Sequence, residues 1–279
     1  MHASLRWAIH RNQLGWPRSY CFMTASWAMC SFGMAAALQL IAGPQYSIFL
    51  AVNWWAAAHS PDFWASITML GHTGILMCFM SPLLVYRPRL MMAFVAALPA
   101  GAVSSLVLKH GFAAARPSDL LHPMDFNNVG MFLSGHSFPS GHCITIFAAA
   151  AVICARLDIR PGRVRYALVA ASLGLASLVA VSRLAVGAHW PGDVVAGASL
   201  GWLAGLSGVW ICDRYTHWWQ ANAAQVLVLL ALTVFAINAH HTLAASAGTV
   251  WVVWLACASV ATTFVLKALG MRRSAVIGV

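Results

Sequence analysis

The sequence predicts an all-α, polytopic transmembrane helix bundle of about eight spans, and two observations predict it. Of 279 residues, 61% are hydrophobic and only 8% are charged, where a soluble domain carries roughly 25% charged residues. The apolar residues also gather into runs near the ~20-residue length that a bilayer demands. These runs lie at approximately 20–43, 61–85, 90–108, 141–155, 166–186, 193–212, 223–239 and 248–269. The first follows Arg6, Arg11 and Arg18 and is too long for a signal-peptide core, so an uncleaved anchor is expected. The fourth and seventh are the shortest. Residues 1–19 are then a cytoplasmic segment and 20–212 a transmembrane core with an outer loop over 109–139. Residues 213–279 add two further spans and a basic tail.

Charge orients the bundle. With the N-terminus and C-terminus both cytoplasmic and the sides alternating, 13 of the 16 basic residues fall on the cytoplasmic side, as the positive-inside tendency predicts. The three left on the outer side are Lys109, Arg116 and Arg183. Basic residues kept against the topological bias need another reason, and a bound anion is one. A net charge of +10 would suggest nucleic acid in a soluble protein; here topology explains it, and no nucleic-acid partner is expected. Tyr46, Trp54, Trp55, Phe63 and Trp64 at outer span ends, and Trp210, Trp218 and Trp219 at an inner end, read as interfacial belts. Seven scattered cysteines without CxxC spacing read as small core residues rather than disulfides or metal ligands.

Three polar clusters interrupt the apolar pattern. Lys109 is followed by six residues and then Arg116-Pro117. Pro139-Ser140-Gly141-His142 opens the fourth span, with proline and glycine where a helix begins. Ser182-Arg183 is followed by five residues, His189, three residues and Asp193, and Pro191 marks another helix start. The alternating topology brings all three to one membrane face, where two helix N-termini favour an anion. Arginine grips phosphate as a fork and lysine as a point charge. Two histidines allow one neutral nucleophile and one protonated acid. Asp193, four residues after His189, can fix its tautomer and stabilise an imidazolium. There is no carboxylate cluster of the kind two-metal hydrolysis requires, and no metal or other cofactor is expected.

The pattern K-x6-RP, PSGH, SR-x5-H-x3-D resembles the three-part signature of the phosphatidic acid phosphatase type 2 and haloperoxidase superfamily. The resemblance covers roughly residues 60–212. It implies that His189 is a nucleophile forming a phosphohistidine, with Asp193 its orienting partner. His142 is then the acid for the leaving group. Lys109, Arg116 and Arg183, with Ser140 and the Gly141 backbone, are the phosphate cradle. The implied function is a metal-independent membrane phosphatase acting on a lipid phosphate or pyrophosphate at the outer face of the inner membrane. Undecaprenyl pyrophosphate, phosphatidylglycerol phosphate, phosphatidate and lipid A phosphates are the candidates. The alternatives are a lipid phosphotransferase using the same intermediate and a non-enzymatic lipid-phosphate transporter, which would have no need of the histidine pair. The multiple spans disfavour a haloperoxidase.

Other polar residues have two readings. His136 imitates the Ser-Gly-His pattern without the proline and is either a substrate contact or a loop histidine. His72, inside the second span, is a functional candidate by position or a neutral side chain satisfied by a neighbouring helix. His110 is interfacial. Asp119, Asp125, Asn127 and Asn128 either read a head group or cap turns. Gly197, Gly201 and Gly205 form a stripe that permits close helix packing.

Overall fold

The computed structural model describes residues 17–41, 45–129, 135–157, 162–243 and 247–269. Among them every regular element is a helix: α1 (Arg18–Ile41), α2 (Tyr46–Ala57), α3 (Pro61–Met69), α4 (Thr73–Met80), α5 (Leu83–Tyr86), α6 (Pro88–Phe112), α7 (Pro117–Leu120), α8 (Gly141–Arg156), α9 (Arg163–Ala185), α10 (Pro191–Arg214), α11 (Thr216–Gln220), α12 (Asn222–Leu243) and α13 (Ala247–Ala268). Among the described residues there are six candidate membrane spans, Ser19–Ile41, Pro88–Leu120, Arg163–Ala185, Pro191–Arg214, Asn222–Ala239 and Thr249–Ala268, with 11 to 44% of their most apolar windows buried. Most of each apolar surface therefore faces outward, as hydrocarbon rather than water permits. Phe22, Trp27 and Leu40 on α1, and Val103, Leu106 and Val107 on α6, are among the exposed apolar side chains.

The run expected as a span over 61–85 is sharply bent. α3 and α4 meet at 70°; Leu70 caps the end of α3, and His72, in extended conformation, caps the start of α4. A short helix, α2, occupies a stretch expected only as an interfacial connection. The fourth run forms α8, a 16-residue helix that is shorter than a bilayer span and buried along most of its length.

α10 is the axis of the bundle and packs against α8, α6 and α1. The glycine stripe permits this. A Cβ on Gly197, Gly201 or Gly205 would lie 2.5, 2.3 and 2.5 Å from the backbone oxygens of Ser140, Ile144 and Ala148. One on Gly208 would lie 2.2 Å from Ala93 O. Backbone thus meets backbone along the whole α8–α10 seam, which fixes the starts of both helices relative to each other. At the other end of the seam Asp213 pairs with Arg89 (2.5 Å) and with Arg156, joining the first turn of α6 to the last turns of α8 and α10.

The C-terminal hairpin α12–α13 packs on the bent pair α3 and α4. Val252, Val253, Ala256 and Val260 are buried there, and Thr263 Oγ1 lies 2.9 Å from Ser81 Oγ. All seven cysteines are free; four are buried and Cys30 is exposed. The aromatic-belt reading holds for Trp54, Trp55, Phe63 and Trp210, which are exposed, but not for Trp64, which is 2% exposed and donates Nε1–H to Ala56 O (3.0 Å). Tyr46 packs edge-on against Trp190. The side chains of Trp218 and Trp219 lie outside the described residues.

Candidate active site

The three clusters meet at the end of the bundle opposite the Arg89–Asp213–Arg156 group. Lys109 stands in the last turn of α6 and Arg183 in the last turn of α9. Ser140, Gly141 and His142 open α8, and Asp193 lies in the first turn of α10. The starts of α8 and α10 are joined directly, Ser140 N–H donating to Asp193 O (3.0 Å).

His189 and Asp193 are buried, at 3% and 0% exposed. Asp193 Oδ2 accepts from Trp190 N–H (2.8 Å) and from the Ser137 hydroxyl, and lies 3.4 Å from His189 Nδ1. Ser137 Oγ is also 3.4 Å from His189 Nδ1. The carboxylate is therefore held from three sides, and the imidazole presents Nδ1 to it. His189 stands between α9 and α10, and its pKa is pushed well below 6.5. Burial is the main cause, followed by the positive charges of Arg183, Arg116 and Lys109. A neutral imidazole in a ring of cations suits a nucleophile facing an anion.

The turn carrying His189 depends on one glycine. Gly187 has φ +76°, and a Cβ on it would lie 2.7 Å from the Phe126 ring and 2.9 Å from Asn127 O. The left-handed backbone and the close approach both require glycine. Next to His189, Trp190 is fully buried. It donates Nε1–H to Ala115 O (2.9 Å) and packs edge-on against Tyr46 and Phe49, each at 5.0 Å.

The cations do two jobs. Arg116, 7% exposed, donates to Gly135 O (3.0 Å), Ala188 O (2.9 Å) and His136 O (3.4 Å), so it ties the loop before α8 to the turn before His189. Lys109 Nζ donates to His136 O (2.8 Å). Arg183, 3% exposed, donates through one terminal nitrogen to Thr68 Oγ1, while its Nε is buried and has no partner among the described residues. A guanidinium with an unspent donor in a buried site is ready for a charge-assisted bond. All eight candidate residues (Lys109, Arg116, Ser140, Gly141, His142, Arg183, His189 and Asp193) come together. Arg183, His189 and Arg116 lie within electrostatic range of His142.

The two helix N-termini are not equivalent. At α10, Gly192 N–H is taken by Gln45 Oε1 (2.9 Å) and the first turn by Asp193. At α8, the amides of Gly141, His142 and Cys143 precede the first intrahelical bond, Ile144 N–H to Ser140 O (3.1 Å). The start of α8 thus keeps backbone donors that the start of α10 has spent, the arrangement that favours an anion. His136 enters through its carbonyl, which accepts from both Lys109 and Arg116. Asp119 accepts from Arg116 N–H (2.9 Å), Asp125 O from Trp54 Nε1–H (3.2 Å), and Asn127 pairs through its backbone; these are contacts that hold turns. Among the described residues no three His, Cys, Asp or Glu side chains converge as a metal-ligand set.

Two positioning residues escaped the sequence reading, Ser137 and Asn53. Asn53 is fully buried on α2. Its Nδ2 donates to Asn127 O (2.9 Å), Leu184 O (2.9 Å) and Ala185 O (3.1 Å), and its Oδ1 accepts from Asn127 N–H (2.7 Å). It clamps the outer loop to the residues just after Arg183. Asn53→Leu is expected to cost about 2–4 kcal/mol by stranding these buried backbone groups. A thermal melt in detergent should show a clearly lowered midpoint; an unchanged midpoint contradicts the clamp.

Residues 89–220 match the family model of the PAP2 superfamily. The chain is 36% identical to a lipid A 1-phosphatase of Rhizobium etli over 115 residues, covering 37% of this chain and 42% of that protein. It is 37% identical to phosphatidylglycerophosphatase B of Escherichia coli K12 over 81 residues, covering 29% of this chain and 31% of that protein. The matches thus span no more than about two fifths of these relatives. A solved transmembrane PAP2-type phosphatidylglycerolphosphate phosphatase from Bacillus subtilis shares the fold at TM-score 0.50 and 20% identity, covering 70% of this chain and 96% of that one.

Proposed function

Because residues 89–220 of this chain match the PAP2 superfamily model, we propose that the protein is a membrane phosphatase that hydrolyses a lipid phosphate through a covalent phosphohistidine on His189. The observation that carries this reading is the convergence of three cations, two histidines and one carboxylate at one end of a bundle whose helices expose apolar faces. The relatives named lipid A 1-phosphatase and phosphatidylglycerophosphatase B support a phosphate monoester on an amphiphile as substrate.

In the proposed mechanism the phosphate enters the ring formed by Lys109, Arg116, Arg183, the Ser140 hydroxyl and the amides at the start of α8. Its negative charge is stabilised there as the P–O bond loosens. His189 Nε2 attacks phosphorus. The Nδ1–H then carries the developing positive charge, and the 3.4 Å contact to Asp193 tightens into a charge-assisted bond. The bond to the leaving oxygen breaks, and His142 delivers a proton to it. A water molecule next gives its proton to His142 and attacks the phosphohistidine, releasing inorganic phosphate and restoring both rings. Asp193, held by Ser137 and Trp190 N–H, keeps His189 oriented through both steps.

The proposed setting is the inner membrane with the site toward the exterior. The site lies at a bundle end, and the opposite end carries Arg89, Arg156 and Arg214. The test is phosphate release by the purified protein in detergent, with EDTA present, from phosphatidate, phosphatidylglycerol phosphate, a lipid A 1-phosphate and undecaprenyl pyrophosphate. Turnover of at least one monoester, undiminished by EDTA, is expected. Release that requires added Mg²⁺, or none from any lipid, contradicts the reading.

A further inference from the structure

The break between α3 and α4 lies against the candidate acid. A Cβ on Gly71 would lie 2.8 Å from His142 Cβ and 3.0 Å from its ring, so the break packs directly on His142. The next residue, His72, has its ring centroid 6.2 Å from that of His142, nearly perpendicular. Both rings, with Gly141, line a cavity of about 360 Å³ between the break, α6 and α8. Thr73 and Thr145 add hydroxyls to its wall and hydrogen-bond to each other (2.8 Å); the rest of the lining is mostly apolar. His72 Nδ1 is buried and has no hydrogen-bond partner among the described residues. A histidine at this depth with an unspent nitrogen is costly, and such groups are kept where they meet a ligand.

His72 is held from behind by the C-terminal hairpin. Phe235 of α12 stacks on its ring at 5.6 Å and 26°. The same phenyl ring fills the notch at Gly74, where a Cβ would lie 2.2 Å from Phe235 Cζ. The hairpin thereby reaches the wall of the cavity that contains His142.

Resting on the phosphatase reading, we propose that His72 is a specificity-determining residue that hydrogen-bonds a polar group, a hydroxyl or a sugar oxygen, on the leaving group beside the scissile ester, with Phe235 positioning its ring. The cavity lies on the side of His142, the group proposed to protonate the leaving oxygen. A group attached to that oxygen would enter it and meet His72, the threonines and the apolar wall. The C-terminal spans then serve selectivity rather than the chemistry itself.

The test compares kcat/KM for two substrates of the full-length protein in detergent. One is dodecyl phosphate, whose leaving group is pure hydrocarbon beyond the ester oxygen. The other is the fastest of phosphatidylglycerol phosphate and a lipid A 1-phosphate, whose leaving groups carry hydroxyls or sugar oxygens. The ratio of polar to alkyl substrate is expected to fall about tenfold in His72→Leu, the order of one hydrogen bond to a substrate group. It should be largely retained in His72→Gln, which keeps hydrogen-bonding atoms in the pocket. Phe235→Ala should lower it in the same direction. An unchanged ratio in His72→Leu, whether the two rates fall together or not at all, overturns the inference and leaves the phosphatase reading standing. A wild-type protein inert on every substrate overturns both.

Discussion

Replacing His189 with alanine is expected to reduce phosphate release by roughly 10⁴- to 10⁶-fold, the range seen when a covalent nucleophile is removed from a unit that acts together. The residual rate would come from the cations alone. The protein should still run as a folded species in detergent, because the α8–α10 glycine seam and the α12–α13 hairpin do not depend on the imidazole. The pH profile carries a second, independent reading of the same residue. A depressed pKa keeps His189 neutral at lower pH, so the limb of kcat/KM that reports its protonation should lie below pH 6.5. The Arg183 charge is the largest cause after burial. Arg183→Ala should therefore move that limb upward as well as lower the rate. Wild-type activity in His189→Ala, or a limb that stays put without Arg183, contradicts the assignment.

The second large effect concerns His142. A general acid matters in proportion to how poor the leaving group is. His142→Ala is therefore expected to slow hydrolysis of an alkyl phosphate by about 10²- to 10⁴-fold. A nitrophenyl phosphate ester, whose leaving oxygen needs no proton near neutral pH, should lose far less. Equal losses on both substrates would move His142 from proton donor to phosphate ligand. The two variants thus separate attack from departure, which a single rate measurement cannot do.

Much of this site was legible in the chain because its chemistry imposes local spacing. Pro139 and Pro191 mark helix starts, so the positions of His142 and Asp193 within first turns follow from sequence alone. Lys109, Arg116 and Arg183 stand out because the alternating topology expected from sequence sets them apart from the other basic residues. The Gly197–Gly201–Gly205 stripe likewise announced a close seam, and the seam is α8 against α10. What stayed hidden depends on contacts made across long separations. Nothing near Ser137 marks it as the partner of a carboxylate 56 residues away. Asn53 sits on a helix of only 12 residues, below the length at which apolar runs register as spans. The bend at Leu70–His72 escaped because a window averaged over a whole span does not resolve a three-residue interruption. Trp64 resembles an interfacial anchor in sequence because hydropathy cannot distinguish a tryptophan facing lipid from one folded over a neighbouring helix. His72 was visible as an ionisable group within a span, but the Phe235 ring behind it comes from a helix more than 150 residues later.

The same geometry separates the roles of the cations. Arg116 spends its donors on the carbonyls of Gly135, His136 and Ala188, so it shapes the ring while contributing charge. Arg183 retains an Nε without a partner among the described residues, so in the proposed site it is the cation assigned to grip an incoming oxygen. Arg→Lys exchange at 183 removes the fork and should rescue little, whatever charge it restores.

The decisive measurement is the trapping of the phosphoenzyme. Protein mixed with a lipid phosphate labelled in the scissile phosphoryl group, quenched in alkali within the first turnover and digested, should yield label on a peptide containing His189. That label should survive alkali and be lost in acid, as an N–P bond requires, and it should be absent from His189→Ala. No label during active turnover, or label on a peptide that lacks His189, would contradict covalent catalysis by this residue.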